Sequence, residues 1–177
     1  MQHEVHAIKE YYKSYSQHIS HIIVAHTNYR PAINETASKS SWQVEQSKTQ
    51  FKNFRSRFNS LLYGSKSKRN PAKFQPLILT TIEGTKERVD KTKTIHFNLC
   101  IGNLPDGLTT KDLRVVFSEA WGKAGLNQKS IWIEETGTIQ DTKNWLGYIS
   151  KEASNGSTHC YNLENNQIPT QALRLTN

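Results

Sequence analysis

Cysteine is nearly absent: Cys100 and Cys160 are the only two in 177 residues. Two cysteines cannot build a disulfide framework or hold a structural zinc ion by themselves, so a reducing compartment, the cytoplasm, is expected. Long apolar runs are missing too. No stretch approaches the roughly 20 residues of a membrane span, and Met1-Gln2-His3-Glu4 lacks the basic and apolar regions of a secretory leader. The expectation is a chain that neither inserts into a membrane nor is secreted. No glycine pattern of the P-loop kind is present, so no nucleotide cofactor is implied. Acidic residues are also in deficit, 15 Asp and Glu against 23 Lys and Arg, for a net charge of +8. A surface of that sign attracts polyanions, nucleic acid first among them. The length suits one domain with a real core and is too short for a catalytic module joined to a motor, so 1–177 is read as a single domain.

Within it, Val5, Ile8, Tyr12, Tyr15 and Ile19 recur at spacings of three and four, which predicts an N-terminal helix within 1–21. Ile22-Ile23-Val24-Ala25 predicts a strand that leaves into the loop at Tyr29-Arg30-Pro31. From Trp42 onward Val44, Phe51, Phe54, Phe58, Leu61 and Leu62 fall on one helical face, and the helix should end at Gly64. Lys48, Lys52 and Arg55 lie on its other faces, and Lys66, Lys68 and Arg69 follow in a linker; all six are candidate phosphate contacts. The runs 77–82 and 94–101 predict two strands of a long hairpin whose basic tip carries Lys86 and Arg88, further candidates for nucleic acid. A helix capped by Thr109-Thr110, a strand at 130–134 and a helix at 141–153 complete the motif-bearing core, 22–155, before a tail at 156–177. The order predicts an α/β (α+β) domain, an antiparallel-rich sheet with helices packed on it.

Chemistry concentrates in two places. His96 and Asn98 are two apart on a strand and leave the same face, and Glu83 ends the strand expected to pair with theirs. An imidazole nitrogen, an amide oxygen and a carboxylate make a site for Mg²⁺ or Mn²⁺, with Mn²⁺ the more tolerant of nitrogen. The bland alternative is a packed strand histidine with polar neighbours. Farther on, Tyr148 and Lys151 are one helical turn apart. A phenol ionises only near pH ~10 and is a poor nucleophile at neutral pH. A neighbouring ammonium and a cation on the phosphate could activate it toward a phosphotyrosine intermediate. The bland alternative is a tyrosine packing on the sheet and a lysine reaching water.

Glu83-Gly84, then Ile95-His96-Phe97-Asn98-Leu99, then Gly147-Tyr148-Ile149-Ser150-Lys151 resemble, in order and spacing, motifs II and III of the HUH endonucleases. Residues 22–29 are similar to their motif I, and the phenylalanine-rich helix with its basic tail resembles the small Rep-like rolling-circle initiators of bacterial plasmids and phages. The resemblance covers about positions 20–155 and rests on the joint order of short motifs. It implies an HUH/RRM-like sandwich and nicking and joining of single-stranded DNA through a 5′-phosphotyrosine. Glu83, His96 and Asn98 would be metal ligands, Tyr148 the single nucleophile and Lys151 its electrostatic assistant. Single-stranded DNA and a host helicase are the implied partners. Asn98 departs from the motif, which has a second histidine there.

Two rivals remain open. Residues 95–176 also resemble an RNA-recognition motif, through Leu99-Cys100-Ile101-Gly102-Asn103-Leu104-Pro105 and the helix at 113–117, but Cys100 takes the place of a stacking aromatic. The other rival is a DNA-binding relative that has lost catalysis, with Asn98 as the substituted residue.

Overall fold

The computed structural model describes residues 2–29, 37–84, 94–126, 130–149 and 161–173. The chain runs α1 (Gln2–Lys13), a 3₁₀ turn (Ser16–His18), β1 (Ile19–His26), α2 (Ala37–Tyr63), α3 (Lys66–Arg69), β2 (Leu77–Glu83), β3 (His96–Gly102), α4 (Thr110–Lys123), β4 (Ile131–Glu135) and α5 (Ile139–Ile149). A second 3₁₀ turn, Leu163–Asn165, follows. The four strands form one antiparallel sheet in the order β2-β3-β1-β4. Elements β1, α2, β2, β3, α4 and β4 therefore make a split βαβ unit, the α+β sheet-and-helix arrangement expected. Among the described residues no helix is long and apolar enough to cross a membrane.

Side-chain alternation divides the sheet between two cores. Ile23 and Ala25 of β1, Ile78 and Ile82 of β2, and Phe97, Leu99 and Ile101 of β3 meet the helices α2 and α4. There Phe51, Phe54, Phe58, Phe117 and Trp121 interlock as stacked and edge-on rings. The opposite face is covered by Tyr12 of α1, Leu146 and Ile149 of α5, and Tyr161, over Leu77, Leu79 and Cys100. Strands β2 and β3 are thus buried on both sides, which is why their sequences read as near-continuous apolar runs. The α4 start carries a full capping box, Thr109 with Asp112, in keeping with its sequence.

Several expectations shift. The N-terminal helix stops at Lys13, and Ile19, expected on its stripe, opens β1 opposite Gly102. A β-branched residue enters a strand at little cost, and Ser14 and Ser16 are weak helix formers. Gly102 is needed there, because a Cβ would lie 1.7 Å from the His18 carbonyl oxygen. The basic linker holds a helical turn, α3, and Leu61, at the margin of the phenylalanine stripe, is 41% exposed. The expected tail is partly sheet: Gln167 bridges Ile78 and Tyr161 bridges Thr81 along the outer edge of β2. Residues 95–176 are not a separate module, since β3 is the third strand of the unit and pairs on both sides with earlier strands.

His21 of β1 is buried, its Nε2 3.1 Å from Thr110 Oγ1 and its Nδ1 3.0 Å from Ser20 Oγ. Burial lowers its pKa below the ordinary 6.5, while Glu135 pulls it partly back. The unfolded chain therefore binds the proton more tightly, and the stability His21 contributes is complete above about pH 6.5 and lost as the pH falls toward the folded value. Thermal midpoints should decline from about pH 7.5 to about 5, and His21→Gln should flatten that decline.

Candidate functional site

Glu83, His96 and His26 stand opposite one another in a single cross-strand row, Glu83 paired with His96 and His96 with His26. Their side chains project from the face that α1 and α5 partly cover. Glu83 Oε2 lies 3.3 Å from His96 Nε2. Glu83 is buried, and the His96 side chain keeps 21% of its surface. The His96 Nδ1 faces the Thr94 carbonyl oxygen at 3.2 Å. A carbonyl only accepts, so Nδ1 carries a proton there and Nε2 is the nitrogen turned toward the carboxylate. The next row on the same face is Thr81, Asn98, Val24 and Trp132. Asn98 is buried, with its amide nitrogen 3.5 Å from Thr81 Oγ1, which leaves the amide oxygen as the donor it can offer a cation.

The turn after Glu83 requires glycine. Gly84 has φ +77, and a Cβ on it would sit 2.6 Å from the Thr94 carbonyl oxygen, the atom that also meets the His96 ring. Replacing this residue would therefore disturb both donors at once.

These residues fit a divalent cation. Two donors at right angles on an ion bound at about 2.1 Å are about 3 Å apart, close to the Glu83–His96 separation. The Nδ1–H held by a backbone carbonyl is the usual support for a ligating histidine. Among the described residues, no group of three His, Cys, Asp or Glu side chains could hold a metal ion, and the Asn98 amide is the further donor that the sequence offers.

His26 carries no signal in the sequence that would place it here. Its ring stacks on His96 with centroids 5.0 Å apart and planes 25° apart, and its Nδ1 lies 2.7 Å from Thr94 Oγ1. Burial first, and the neighbouring His96 second, lower its pKa below the ordinary histidine range. A neutral ring beside a cation site leaves that site's charge to Glu83. Only the β1–β3 register brings His26 to the row, so sequence reasoning misses it.

Tyr148 lies on α5, the helix layer over this same face, and is 52% exposed. Its ring stacks on Trp145 at 5.3 Å and 30°, and Trp145 packs against Trp132 at 5.8 Å. Lys151, Lys86 and Arg88 lie outside the described residues.

Of the helix α2 cations, Lys48 and Arg55 are partly covered and Lys52 is half exposed. Lys48 and Lys52 reach Glu164, at 3.8 and 3.1 Å, and Arg55 donates to the Asn166 carbonyl oxygen at 3.2 Å. They brace the C-terminal segment against α2, and burial lowers the Arg55 pKa. Lys66, Lys68 and Arg69 sit on exposed α3, where Arg69 donates to Ser65 Oγ and Lys66 lies over the Phe74 ring. A polar cleft of about 470 Å³ lined by Lys52 and Arg55 adjoins another of about 270 Å³ lined by Lys68, and the two share Ser56, Asn59 and Gln75.

No protein-family model, curated protein or solved structure matches the chain.

Proposed function

We propose that this protein binds single-stranded DNA and cleaves and rejoins one of its phosphodiesters through Tyr148, with a Mg²⁺ or Mn²⁺ ion held by Glu83, His96 and Asn98. The observation that carries the reading is the cross-strand contact of Glu83 with His96, with Asn98 two residues along on the sheet face against which α5 packs. A bound cation would supply Lewis-acid polarisation of the phosphate.

The remaining work falls to the chain. Glu83 supplies the negative charge of the site, and the Thr94 carbonyl accepts from His96 Nδ1 and so holds the ring with Nε2 turned toward Glu83. Tyr148 Oη attacks phosphorus, the P–O3′ bond breaks, and the 3′ oxygen leaves with a proton as a hydroxyl. One phosphodiester becomes a phosphotyrosine diester, so no nucleotide hydrolysis is needed. Lys151, which lies outside the described residues, is assigned to the developing charge at the phenol. The clefts with Lys52, Arg55 and Lys68, and exposed Lys66 and Arg69, hold phosphates at the β2 edge. The cellular task is initiation of rolling-circle replication in the cytoplasm, beside a helicase that opens the duplex.

The test is incubation with a mixed-sequence single-stranded oligonucleotide pool and Mn²⁺, followed by a denaturing gel. A covalent protein–DNA adduct is expected, and titration calorimetry should find Mn²⁺ binding in the wild type and none in His96→Ala. Equal Mn²⁺ affinity in both proteins, with no adduct, would reduce the row to a packed polar cluster. Mn²⁺ binding lost in His96→Ala with no adduct from either protein would leave a DNA-binding relative without nuclease activity.

A further inference from the structure

Trp132 and Tyr148 are large rings left 43% and 52% exposed on one face. Trp145 sits between them, in contact with both. Packing alone gives Trp132 little reason to be there: β4 is buried on one side, at Ile133, and the Trp132 side is the open one. Register fixes its position. Trp132 pairs with Val24, which pairs with Asn98, so the exposed indole is two strand spacings, roughly 10 Å, across the sheet from the candidate cation donor. A short stretch of a nucleic-acid strand spans that distance.

We infer that Trp132, with the Trp145–Tyr148 pair, is a stacking platform for the bases of single-stranded DNA next to the phosphate that Tyr148 attacks. The identity of the strand rests on the function proposed above. Three observations favour this occupant. Indole and phenol faces stack on any base and so suit a strand held mainly by its backbone. The chain's charge of +8 supplies the attraction such a strand needs. Finally, among the described residues the exposed rings here are two, bordered by exposed Ser130 and Glu134, far below the ~1,000 Å² that a protein partner would have to cover.

The charges also set a direction. Glu134 projects from the same face one row farther from His26, since it pairs with Ile22 rather than Val24. Its carboxylate repels phosphates on that side. Where a cation offsets Glu83, the backbone therefore lies on the side of His26 and His96, with the bases turned onto Trp132.

The experiment compares oligo(dT) with an abasic strand of the same phosphate count, both without metal, on wild type, Trp132→Ala and Trp132→Phe. Base stacking predicts that Trp132→Ala weakens oligo(dT) binding about 5- to 150-fold, leaves abasic binding unchanged, and is partly rescued by Trp132→Phe. Circular dichroism should show the three proteins equally folded. Unchanged oligo(dT) affinity in Trp132→Ala overturns the platform, as does an equal loss for both strands, which would mean the indole serves only the fold. Tighter binding of oligo(U) than of oligo(dT) overturns the choice of DNA. Because no cleavage is read, these outcomes are independent of whether an adduct ever forms. A protein that stacks bases and never nicks keeps this inference and loses the previous one.

Discussion

Phe54→Ala will destabilise the fold by about 3–5 kcal/mol, the range for deleting a fully buried aromatic side chain. Phe54 has no solvent exposure, and its ring centre lies 4.7 Å from Phe117, 4.9 Å from Trp121, 5.2 Å from Phe58 and 5.3 Å from Phe51. Rings on both helices surround the site, so the cavity cannot close without moving α2 relative to α4. Leu61→Ala, on the same helix but exposed, should cost no more than about 0.5 kcal/mol. Urea unfolding of the two variants measures the contrast. A loss of about 1 kcal/mol or less for Phe54→Ala would mean that the two-helix layer repacks freely and does not fix the sheet beneath it.

That phenylalanine stripe is legible in the amino-acid sequence, because three residues at helical spacing within a basic segment have one economical arrangement. The runs in β2 and β3 are equally legible as strands. Their burial on both faces is not, since it depends on α1, α5 and the C-terminal segment reaching the second face. The C-terminal segment itself carries no periodic signal. It is held by contacts over very long sequence separations, with the Asn59 and Gln167 amides exchanging hydrogen bonds and Tyr12 and Asn166 meeting over Thr80. Local pattern cannot report such pairs. The same segment explains why Lys48, Lys52 and Arg55 look like open phosphate contacts in sequence yet meet Glu164 and Asn166 in the fold.

The candidate site divides along the same line. His96 and Asn98 share a face by the two-residue period of a strand, and Glu83 joins them because a hairpin places neighbouring strands in antiparallel register. Both inferences use short-range rules. His26 and Trp132 enter only through β1, which sits between β3 and β4 after a crossover, and no local rule yields that order. The helix carrying Tyr148, expected at 141–153, begins two residues earlier, at Ile139. Its described part ends at Ile149, before Lys151.

Tyr148→Phe should abolish adduct formation while leaving the fold, Mn²⁺ binding and affinity for single-stranded DNA as they are. The substitution removes one oxygen from a ring that is more than half exposed, and phenylalanine keeps the face that stacks on Trp145. A loss confined to the adduct, with fold and binding kept, therefore belongs to the chemical step. Trp145→Ala should behave differently. It leaves the phenol in place but removes the surface that orients it, so attachment should slow without disappearing, and Tyr148 should lose its fixed ring direction. Adduct yield on a denaturing gel and oligonucleotide affinity, measured on both variants, separate the roles. An adduct that persists in Tyr148→Phe would move the nucleophile to another residue and sever α5 from the chemistry. Loss of adduct together with loss of DNA affinity would instead make the phenol a binding contact.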